Sequence, residues 1–592
     1  MTIKNLKVEN VRGIGQLSIG SNILKNRPNI LVAPNGFGKT SIATAFKCAA
    51  DQTSIKLEDE DRHHHDDNKK AIIELELKEN GSSSKLSVTE QAHSNDIRKH
   101  FDVHVVFDLR RIKAHSRNFG GFSRAEAKMV IDPIVICKKV NRANSPYKIS
   151  EIKRAFGKHK TALPNIADSL FQSHDFVMRS PECWQYVDAL IKTRKWNQIE
   201  NVRKQLSDYS GSTDDGLSHV ATAVNDLFVN IPEAKGLLSI VEATTKLCGV
   251  EAFLSIWQML TLAKSARDAL KCYLEWLRYS EIKQSLKDGL NDLNTSWKIP
   301  SLKETKGNLV VEMPDPTHIS NGQRDVLLLL SLLHIARYNL VKSRAILIVD
   351  EVFDYLDDAN LTVAQYYISQ LIEDYKRQGR SIYTIILTHL NPSFFQNYVF
   401  SNQNTIYLEN GTAYDSIDAM KKLIGARSQD GCDEALKKDI SKYLVHFYSG
   451  DYDFAEKLKS ISGIRSSWGK NGKFQGFLRD EFGKYSSDQP YDPLAICAVT
   501  RRSIEELAFS QISEQPDADE FFNTHKTGPK LDWAVQRGAV VPETHYLLRV
   551  IFDDGLHWNP NRDNTIPIVA KLANPIIKKM IVEVVNECMG SG

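Results

Sequence analysis

Residues 30–46 read "ILVAPNGFGKTSIATAF": an apolar strand, a turn that contains two glycines, and the start of a helix. Lys39 and Thr40 stand where the turn becomes the helix. Backbone N–H groups at a helix N-terminus attract anions, because the helix dipole is positive there. The stretch therefore predicts a loop that binds the phosphates of ATP or GTP.

Individual residues of the predicted loop have separate roles in binding the nucleotide. Lys39 would reach the β and γ phosphates, and the Thr40 hydroxyl would hold Mg²⁺. Ala33 stands where such loops usually begin with glycine, so this position does not need a positive φ. The residues predicted to bind the nucleotide here are Asn35, Gly36, Gly38, Lys39, Thr40 and Ser41.

Length and composition limit what surrounds this loop. The chain has 592 residues and 42% hydrophobic content, which predicts three or four domains at about 100–200 residues each. A net charge of +3 is too balanced to indicate nucleic acid or a membrane by itself. The longest apolar run, residues 326–333, is far shorter than the roughly 20 residues that span a bilayer. We predict a cytoplasmic protein without a membrane partner.

Three later segments carry residues that suit nucleotide chemistry. "AILIVDE", 345–351, predicts a buried strand that ends in Asp350, which suits Mg²⁺, and Glu351, which suits a general base for the attacking water. "SNGQR", 320–324, opens a helix whose first residues offer donors for a γ-phosphate. "IILTHL", 385–390, places His389 at the end of another strand. Strand and helix alternate here, which predicts a parallel α/β sheet.

These segments together resemble one family of ATPases. In chain order, "APNGFGKT", "ISNGQR", "LIVDEVFDYLD" and "LTH" resemble the Walker A, signature, Walker B with D-loop, and His-switch elements of ABC-type ATPases. The opening "VENVRGIGQLSI" is similar to that of the subgroup of RecF, structural-maintenance-of-chromosomes and overcoming-lysogenization-defect proteins. The family's Q-loop glutamine has no match, since the expected region reads "VVFDLRR".

The resemblance implies a homodimer or higher homo-oligomer of ATPase heads, with ATP and Mg²⁺ held between two heads. One protomer would supply Lys39, Thr40, Asp350, Glu351 and His389. The partner would supply the signature residues Ser320, Gly322 and Gln323, with Asp357 in the D-loop between the heads.

The implied fold class is α/β: a P-loop ABC-type head with an antiparallel β subdomain, a helical insertion and a mainly α C-terminal domain. The antiparallel strands are predicted in "AIIELELKENGSSSKLSVT", around Asn80 and Gly81. The histidines at 63–65 favour a solvated loop over a metal site. The predicted segments are an N-terminal lobe at 1–112, the helical insertion at 113–300, a C-terminal lobe at 301–425 and a helical effector or docking domain at 426–592.

The last segment contains a second group of chemically suited residues. Arg501 and Glu505 lie four apart on one predicted helix, and so do Arg502 and Glu506, a rival pair. This spacing also fits a simple surface ion pair. With His557 beyond a later helix, Arg501 and Glu505 would suit RNA cleavage without a metal. They resemble the helical HEPN ribonuclease domains that follow the head in PrrC- and RloC-type anticodon nucleases, which implies tRNA or another nucleic acid as a partner. His525 and His545 are rival histidines.

The predicted function is an ABC-type ATPase switch in bacterial antiphage defence, in which head dimerisation on ATP gates this ribonuclease. One alternative is an ATPase subunit similar to PtuA of Septu systems or the ATPase of PARIS, which binds and controls a separate nuclease or toxin. Another is a RecF-like repair ATPase that binds DNA, for which the sequence offers no compact basic and aromatic cluster.

Overall fold

We describe the chain from a computed structural model, which forms two compact units, Met1–Ile406 and Tyr407–Gly592. We call them the first and the second unit. The residues described are 1–33, 38–50, 52–79, 81–107, 111–119, 122–130, 132–293, 301–313, 321–353, 356–390, 400, 402–408, 417–427, 433–514, 516–556 and 565–590.

Among the described residues, all strands lie between Thr2 and Tyr407. In order they are β1 (Thr2–Val11), β2 (Ile14–Ile19), β3 (Arg27–Val32), β4 (Ile72–Glu79), β5 (Ser82–Thr89), β6 (Asp102–Val106), β7 (Arg111–Phe119), β8 (Phe122–Val130), β9 (Ile134–Lys138), β10 (Ser301–Thr305), β11 (Asn308–Glu312), β12 (Arg344–Asp350), β13 (Ser381–Thr388) and β14 (Asn404–Tyr407).

The central sheet has the strand order β14–β3–β13–β12–β6, and β3, β13, β12 and β6 run parallel. Its register places Val32 opposite Thr388, and Leu387 opposite Asp350. β12 is buried from its second residue onward, as expected of a parallel strand that is covered on both faces. The carboxyl ends of these strands therefore meet at one edge of the sheet, where ligands of open α/β folds bind.

The other sheets are antiparallel. One has the order β2–β1–β4–β5 and another the order β10–β11–β9, while β7 and β8 pair as a hairpin. Buried and less buried residues alternate along β4, which is the pattern of a strand with one face in a core. Gly81, between β4 and β5, has φ +88°, a turn conformation that glycine adopts without strain.

The helices of the first unit are α1 (Lys39–Ala50), α2 (Asp96–His100), α3 (Ile149–Lys153), α4 (Ile166–Ser169), α5 (His174–Leu190), α6 (Thr193–Ser207), α7 (Thr213–Asn230), α8 (Pro232–Thr244), α9 (Gly249–Asp292), α10 (Asn321–Asn339) and α11 (Asp358–Arg377). Helices α3 to α9 share one hydrophobic core, which includes Phe156, Phe176 and Trp257. Helix α9 is bent at Ala266, whose backbone leaves the helical region.

The segment predicted as a helical insertion from residue 113 begins with strands instead. β7 pairs with β8 from Arg111 opposite Val130 to Phe119 opposite Phe122, and β9 pairs with β11. The alternation of polar and apolar residues in "RIKAHSRNF" suits a strand rather than a helix. Helices occupy the later part, from Ile149 to Asp292.

The second unit is helical where it is described. Its helices are α12 (Ile417–Ala426), α13 (Glu434–Asp439), α14 (Ala455–Leu458), α15 (Lys473–Ser486), α16 (Pro493–Ser510), α17 (Thr527–Gln536), α18 (Glu543–Leu547), α19 (Arg549–Leu556), α20 (Thr565–Leu572) and α21 (Pro575–Gly590). A short π-helix spans Ile440–Val445. Helix α16 is buried on nearly all sides and packs against α15, α17, α19 and α21, so it forms the centre of this unit.

The predicted fold class is confirmed: an α/β P-loop head with an antiparallel subdomain, a helical segment and a mainly helical C-terminal unit. Among the described helices, none combines the length and the apolar character that crossing a membrane requires.

Candidate functional site

The described residues next to the predicted phosphate loop are the end of β3 and the start of α1, at the carboxyl edge of the parallel sheet. Residues 34–37, with the predicted Asn35 and Gly36, lie outside the described residues. Gly38 has φ +86°, and a Cβ atom there would lie 2.7 Å from Cγ1 and 2.8 Å from Cδ1 of Ile14. Both the backbone conformation and the space therefore require glycine at this position.

Lys39 begins α1 and is buried. Its Nζ donates a hydrogen bond to the carbonyl oxygen of Ala33 at 2.7 Å and lies 3.6 Å from Oε1 of Glu351. The N–H of Ala33 donates in turn to the carbonyl oxygen of Thr388 at 3.2 Å. The predicted loop lysine and the predicted general base are thus in contact, although 312 positions separate them in the chain.

The two acidic residues at the end of β12 differ in their surroundings. Asp350 ends the strand and is 7% exposed, whereas the side chain of Glu351 is 34% exposed. Glu351 has φ +51°, a left-handed conformation that costs a non-glycine residue about 1–3 kcal/mol. Its N–H donates to the carbonyl oxygen of Leu387 at 3.0 Å, which fixes the turn. This backbone reversal carries the Glu351 side chain back toward Lys39.

The remaining residues predicted for this edge lie nearby in the fold. Thr40 is exposed in the first turn of α1, and Ser41 is buried behind it. His389 is exposed and directly follows β13, the strand between β3 and β12. Expected Q-loop residues 108–110 lie outside the described residues.

The donor set suits magnesium and a nucleotide phosphate. Mg²⁺ prefers oxygen ligands, keeps several waters and uses only one or two protein side chains with the substrate's phosphates. Thr40 and Asp350 offer such oxygens, while Lys39 supplies a positive charge. Among the described residues, no three His, Cys, Asp or Glu side chains converge as a complete metal cage.

The signature segment meets the D-loop within the same chain. Ser320 lies outside the described residues, and α10 begins at the next residue. A Cβ atom on Gly322 would clash with Nδ2 of Asn360 and lie 3.3 Å from Oδ2 of Asp357. Asp357 caps α11 by accepting from the N–H of Asn360 at 2.8 Å. The first turns of α10 and α11 are therefore in contact, and no sequence motif marks Asn360 as part of this contact.

Gln323, the third predicted signature residue, is half-buried in the first turn of α10. The next two residues, Arg324 and Asp325, are buried, and Nε of the arginine lies 3.7 Å from Oδ1 of the aspartate. The start of α10 thus has charged side chains on its buried side and leaves Gly322 and Gln323 less covered.

In the second unit, Glu505 is completely buried in α16 and bound by four donors. It accepts from the N–H of Phe447 at 3.0 Å, from the Thr527 hydroxyl at 2.7 Å and from Nζ of Lys530 at 3.2 Å, and it lies 2.7 Å from Nδ1 of His446. Burial alone raises the pKa of Glu505, but His446 and the nearby cations bring it below its usual range. Glu505 is therefore an anion at the centre of an interior network.

Burial also governs the partners of Glu505. It lowers the pKa of His446 and the pKa of Lys530, and the carboxylate opposes both shifts. No sequence motif marks His446, Thr527 or Lys530 as partners of Glu505. They lie 59, 22 and 25 positions from Glu505, so no local spacing pattern could have brought them together.

Arg501 is also buried, one helical turn before Glu505. Its Nη2 donates to Oδ1 of Asp553 at 2.7 Å, and its guanidinium lies 5.0 Å from the centroid of the Phe552 ring. Its Nε and Nη1 atoms have no hydrogen-bond partner among the described residues. Arg549 reaches the same Asp553 at 3.3 Å. His557 lies outside the described residues, whereas the rival His545 is buried in α18.

Comparison with known proteins adds a likeness of fold. No protein-family model matches the chain, and no curated protein matches it in sequence. An Smc head domain from Pyrococcus furiosus, with an extended coiled coil and bound to the C-terminal domain of ScpA, matches at 11% identity and a TM-score of 0.25, over 66% of this chain and 90% of that chain.

Two further solved structures match over the same shares, 66% of this chain and 90% of theirs. They are an SmcHead bound to the C-winged helix domain of ScpA, at 11% identity and a TM-score of 0.26, and an SMC head domain from Thermotoga maritima, at 13% identity and a TM-score of 0.20. Likeness at this level assigns neither a family nor a substrate to this chain.

Proposed function

We propose that this protein is an ATP-hydrolysing switch of the ABC type. The observation that carries the proposal is the contact of buried Lys39 with Glu351 across the carboxyl ends of β3, β13 and β12. A surface ion pair would leave both groups in water, but here the ammonium is buried and held by the Ala33 carbonyl. A lysine fixed beside a carboxylate at this edge suits phosphoryl transfer.

Each side chain has a separate part in the proposed hydrolysis. Lys39 binds the β and γ phosphates of ATP, and Glu351 orients and deprotonates the attacking water. Thr40 and Asp350 hold Mg²⁺, which when bound neutralises phosphate charge. His389, at the end of the intervening strand, contacts the γ-phosphate side of the site.

The test of this site compares two variants of the full chain. Glu351→Gln keeps the size of the side chain but removes the base, so we expect ATP turnover to fall at least about 100-fold while ATP binding persists. Lys39→Ala should lose binding itself, measured with a fluorescent ATP analogue. Glu60→Gln, the same chemical change at an exposed position of the first unit, is the matched control. Full turnover in Glu351→Gln would refute the assignment of the base.

We propose further that two heads dimerise on ATP, with Ser320, Gly322 and Gln323 of one chain completing the site of the other. Support comes from Gly322 and Asp357, which lie together at the start of α10 and α11. In ABC-type ATPases the signature residues bind the nucleotide of the opposite head, so in the proposed dimer these residues complete the site of the partner chain.

For the second unit, the proposal is an effector controlled by the heads in antiphage defence. The first form of it is a HEPN-like ribonuclease with Arg501, Glu505 and His557 acting on tRNA. Two nitrogens of Arg501 have no hydrogen-bond partner among the described residues, which leaves capacity to bind a phosphate. The Arg501 side chain is buried, so this form requires the phosphate to enter the unit.

The burial of Glu505 favours the alternative, in which the second unit docks a separate nuclease or toxin. A general base must reach its proton, and Glu505 is enclosed by four donors of its own unit. In this form Glu505 stabilises the unit and does not touch a substrate.

One experiment separates these forms. Purified protein is incubated with Mg-ATP and either total tRNA or plasmid DNA, beside His557→Ala and the exposed control His93→Ala. Cleavage of tRNA by the parent and by His93→Ala, but not by His557→Ala, supports the ribonuclease. Intact RNA in every sample favours docking of a separate subunit, and DNA-stimulated ATP turnover would favour a RecF-like role.

A further inference from the structure

The first unit contains a cavity of about 370 Å³, and the residues that line it include none of the described residues predicted to bind ATP. Helices α9, α10 and α11 supply most of its wall. The side chains that define its chemistry are Glu281, Asp288 and Asp292 of α9, His334 of α10, and Tyr366 and Tyr367 of α11. The volume lies within the range of small-molecule sites, about 300–1,000 Å³.

The three carboxylates form a stripe along α9. Their spacing of seven and then four positions keeps them on one face of the helix, over a length of about 16 Å at 1.5 Å per residue. Glu281 pairs with Nδ1 of His174 at 2.8 Å, and Asp288 accepts from Gln284 at 2.7 Å. Asp292 has no hydrogen bond or ion pair within the described part of the chain.

The nearby arginine does not neutralise this stripe. Arg337 also lines the cavity, but its Nη2 binds Oδ2 of Asp374 at 2.7 Å and its Nη1 binds the Ser285 hydroxyl at 3.4 Å. The charge of Arg337 is therefore matched by Asp374, and the cavity keeps an excess of negative charge for its ligand.

His334 is an independent sign of a ligand. It is 3% exposed, and its Nδ1 atom is buried without a hydrogen-bond partner among the described residues. Burial lowers the pKa of His334 to about 3, so the ring is neutral at pH 7 and carries one acceptor nitrogen. An unsatisfied buried polar atom is costly, and an N–H donor placed in the cavity would remove that cost.

A metal ion fits these groups poorly. The carboxylates are spread along the helix, and no three His, Cys, Asp or Glu side chains within the described ranges converge on one point. An elongated organic cation matches the stripe better, because separate ammonium groups can meet separate carboxylates. The rings of Tyr366 and Tyr367, 5.4 Å apart, add aromatic faces that attract ammonium groups.

We propose that this cavity binds a linear aliphatic polyamine, with its ammonium groups along Glu281, Asp288 and Asp292 and one N–H directed to His334. The site is distinct from the ATP site. Binding of the polyamine does not depend on the proposed ATPase activity.

The position of the cavity gives binding a route to the ATP site. Helices α10 and α11, which line it, begin where Gly322 approaches Asp357 and Asn360. A ligand that holds α9 against α10 and α11 would change the positions of the first turns of α10 and α11. This consequence, unlike binding itself, rests on the proposed ATPase.

Titration calorimetry of nucleic-acid-free full-length protein with spermidine, without nucleotide, tests the site. We expect one spermidine per chain, and at least tenfold weaker binding in the double variant Asp288→Asn/Asp292→Asn. Asp288 and Asp292 are both exposed, so we expect the two substitutions to leave folding unchanged. Asp268→Asn, on the same helix with a 94% exposed side chain, should bind as the parent does.

Several results would overturn the proposal: no binding of spermidine, several equal weak sites, equal affinity in the double variant, or displacement by MgCl₂ at the same ionic strength. A second variant, Tyr367→Leu, should also weaken binding severalfold. In ATP turnover assays, spermidine should change the rate of the parent and leave that of the double variant unchanged. Binding without a rate effect would retain the site and reject only its coupling.

Discussion

At the scale of single residues, Asp492 illustrates how burial controls a charge. It caps α16 by accepting from the N–H groups of Leu494 at 2.9 Å and Ala495 at 3.1 Å. Burial raises its pKa to about 7, although these two hydrogen bonds favour the anion. The neighbouring Glu481 adds to the rise. The folded protein therefore holds a proton on Asp492 that the unfolded chain releases near pH 4.

This shift predicts a pH-dependent effect of Asp492→Asn. The contribution of Asp492 to stability is fully present below about pH 4 and is lost as the pH rises to about 7, because the folded state then binds more protons than the unfolded state. Asparagine still caps the helix and stays neutral. We expect Asp492→Asn to be about 1–3 kcal/mol more stable than the parent at pH 8 and close to it at pH 4.5.

Thermal unfolding of parent and variant at both pH values measures this difference, and the parent–variant comparison removes the effect of other titrating groups. Asp480→Asn, at an exposed position of the neighbouring helix α15, is the control. A difference between parent and Asp492→Asn that does not change with pH would contradict the prediction.

The sequence predicts the role of a residue well when the residue's contact partners are close to it in the chain. Asp350 and Glu351 follow from a strand that ends in two acids, and the loop around Lys39 follows from its own neighbours. The contacts of Glu505 are different, since each of them joins separate helices or loops of the second unit. Spacing on one helix suggested a surface pair with Arg501, but packing put Glu505 in the interior.

At the scale of elements, the contact between α10 and α11 depends on the absence of a side chain at Gly322. The Asn360 side chain occupies the space that a Cβ atom would need and donates to Oδ2 of Asp357 at 2.9 Å. Alanine is the better helix former, so Gly322→Ala would stabilise α10 if the helix stood alone. In the folded chain it must displace Asn360 or tilt α10.

We therefore expect Gly322→Ala to lower the stability of the chain by about 1–3 kcal/mol, as overpacking does. Gly322→Ala/Asn360→Ala should recover most of this loss, because the Asp357 cap uses the backbone N–H of residue 360 and survives the change. Gly476→Ala in α15, where a Cβ atom meets nothing within 4 Å, should be neutral or stabilising. Thermal unfolding of the four proteins decides this, and a lack of recovery would rule out the steric explanation.

The sequence predicts whether a segment is a helix or a strand where its hydrophobic period and its length indicate the same element. The buried run before Asp350 and the alternation in β4 are local signals, and both strands were expected. The sequence pattern predicts a helical insertion over the hairpin of β7 and β8, because the long helices that follow it dominate the pattern. Its strand character depends on pairing, which a scan for helical periodicity does not measure.

At the scale of the whole molecule, the parallel sheet forms only part of the proposed ATP site. It gathers Lys39, Asp350 and Glu351 at one edge, while Gly322 lies in the first turn of α10 and contacts the predicted D-loop instead. If the site is shared between two heads, each chain carries half of two sites. This arrangement predicts that each active site needs two chains. An experiment that mixes two inactive variants tests this prediction, and the effector need not be known.

Lys39→Ala removes the loop half of the site, and Ser320→Arg removes the signature half, so each protein alone should be inactive. After the two are mixed in equal amounts without nucleotide and then given Mg-ATP, half of the dimers contain both variants, and each of these has one intact site. Turnover should return to about a quarter of the parent rate. Lys39→Ala mixed with a chain that carries both changes should stay inactive, because no intact loop is present. If the first mixture also stays inactive although sedimentation shows dimers of both variants, the site lies within one chain and the shared-head mechanism is wrong.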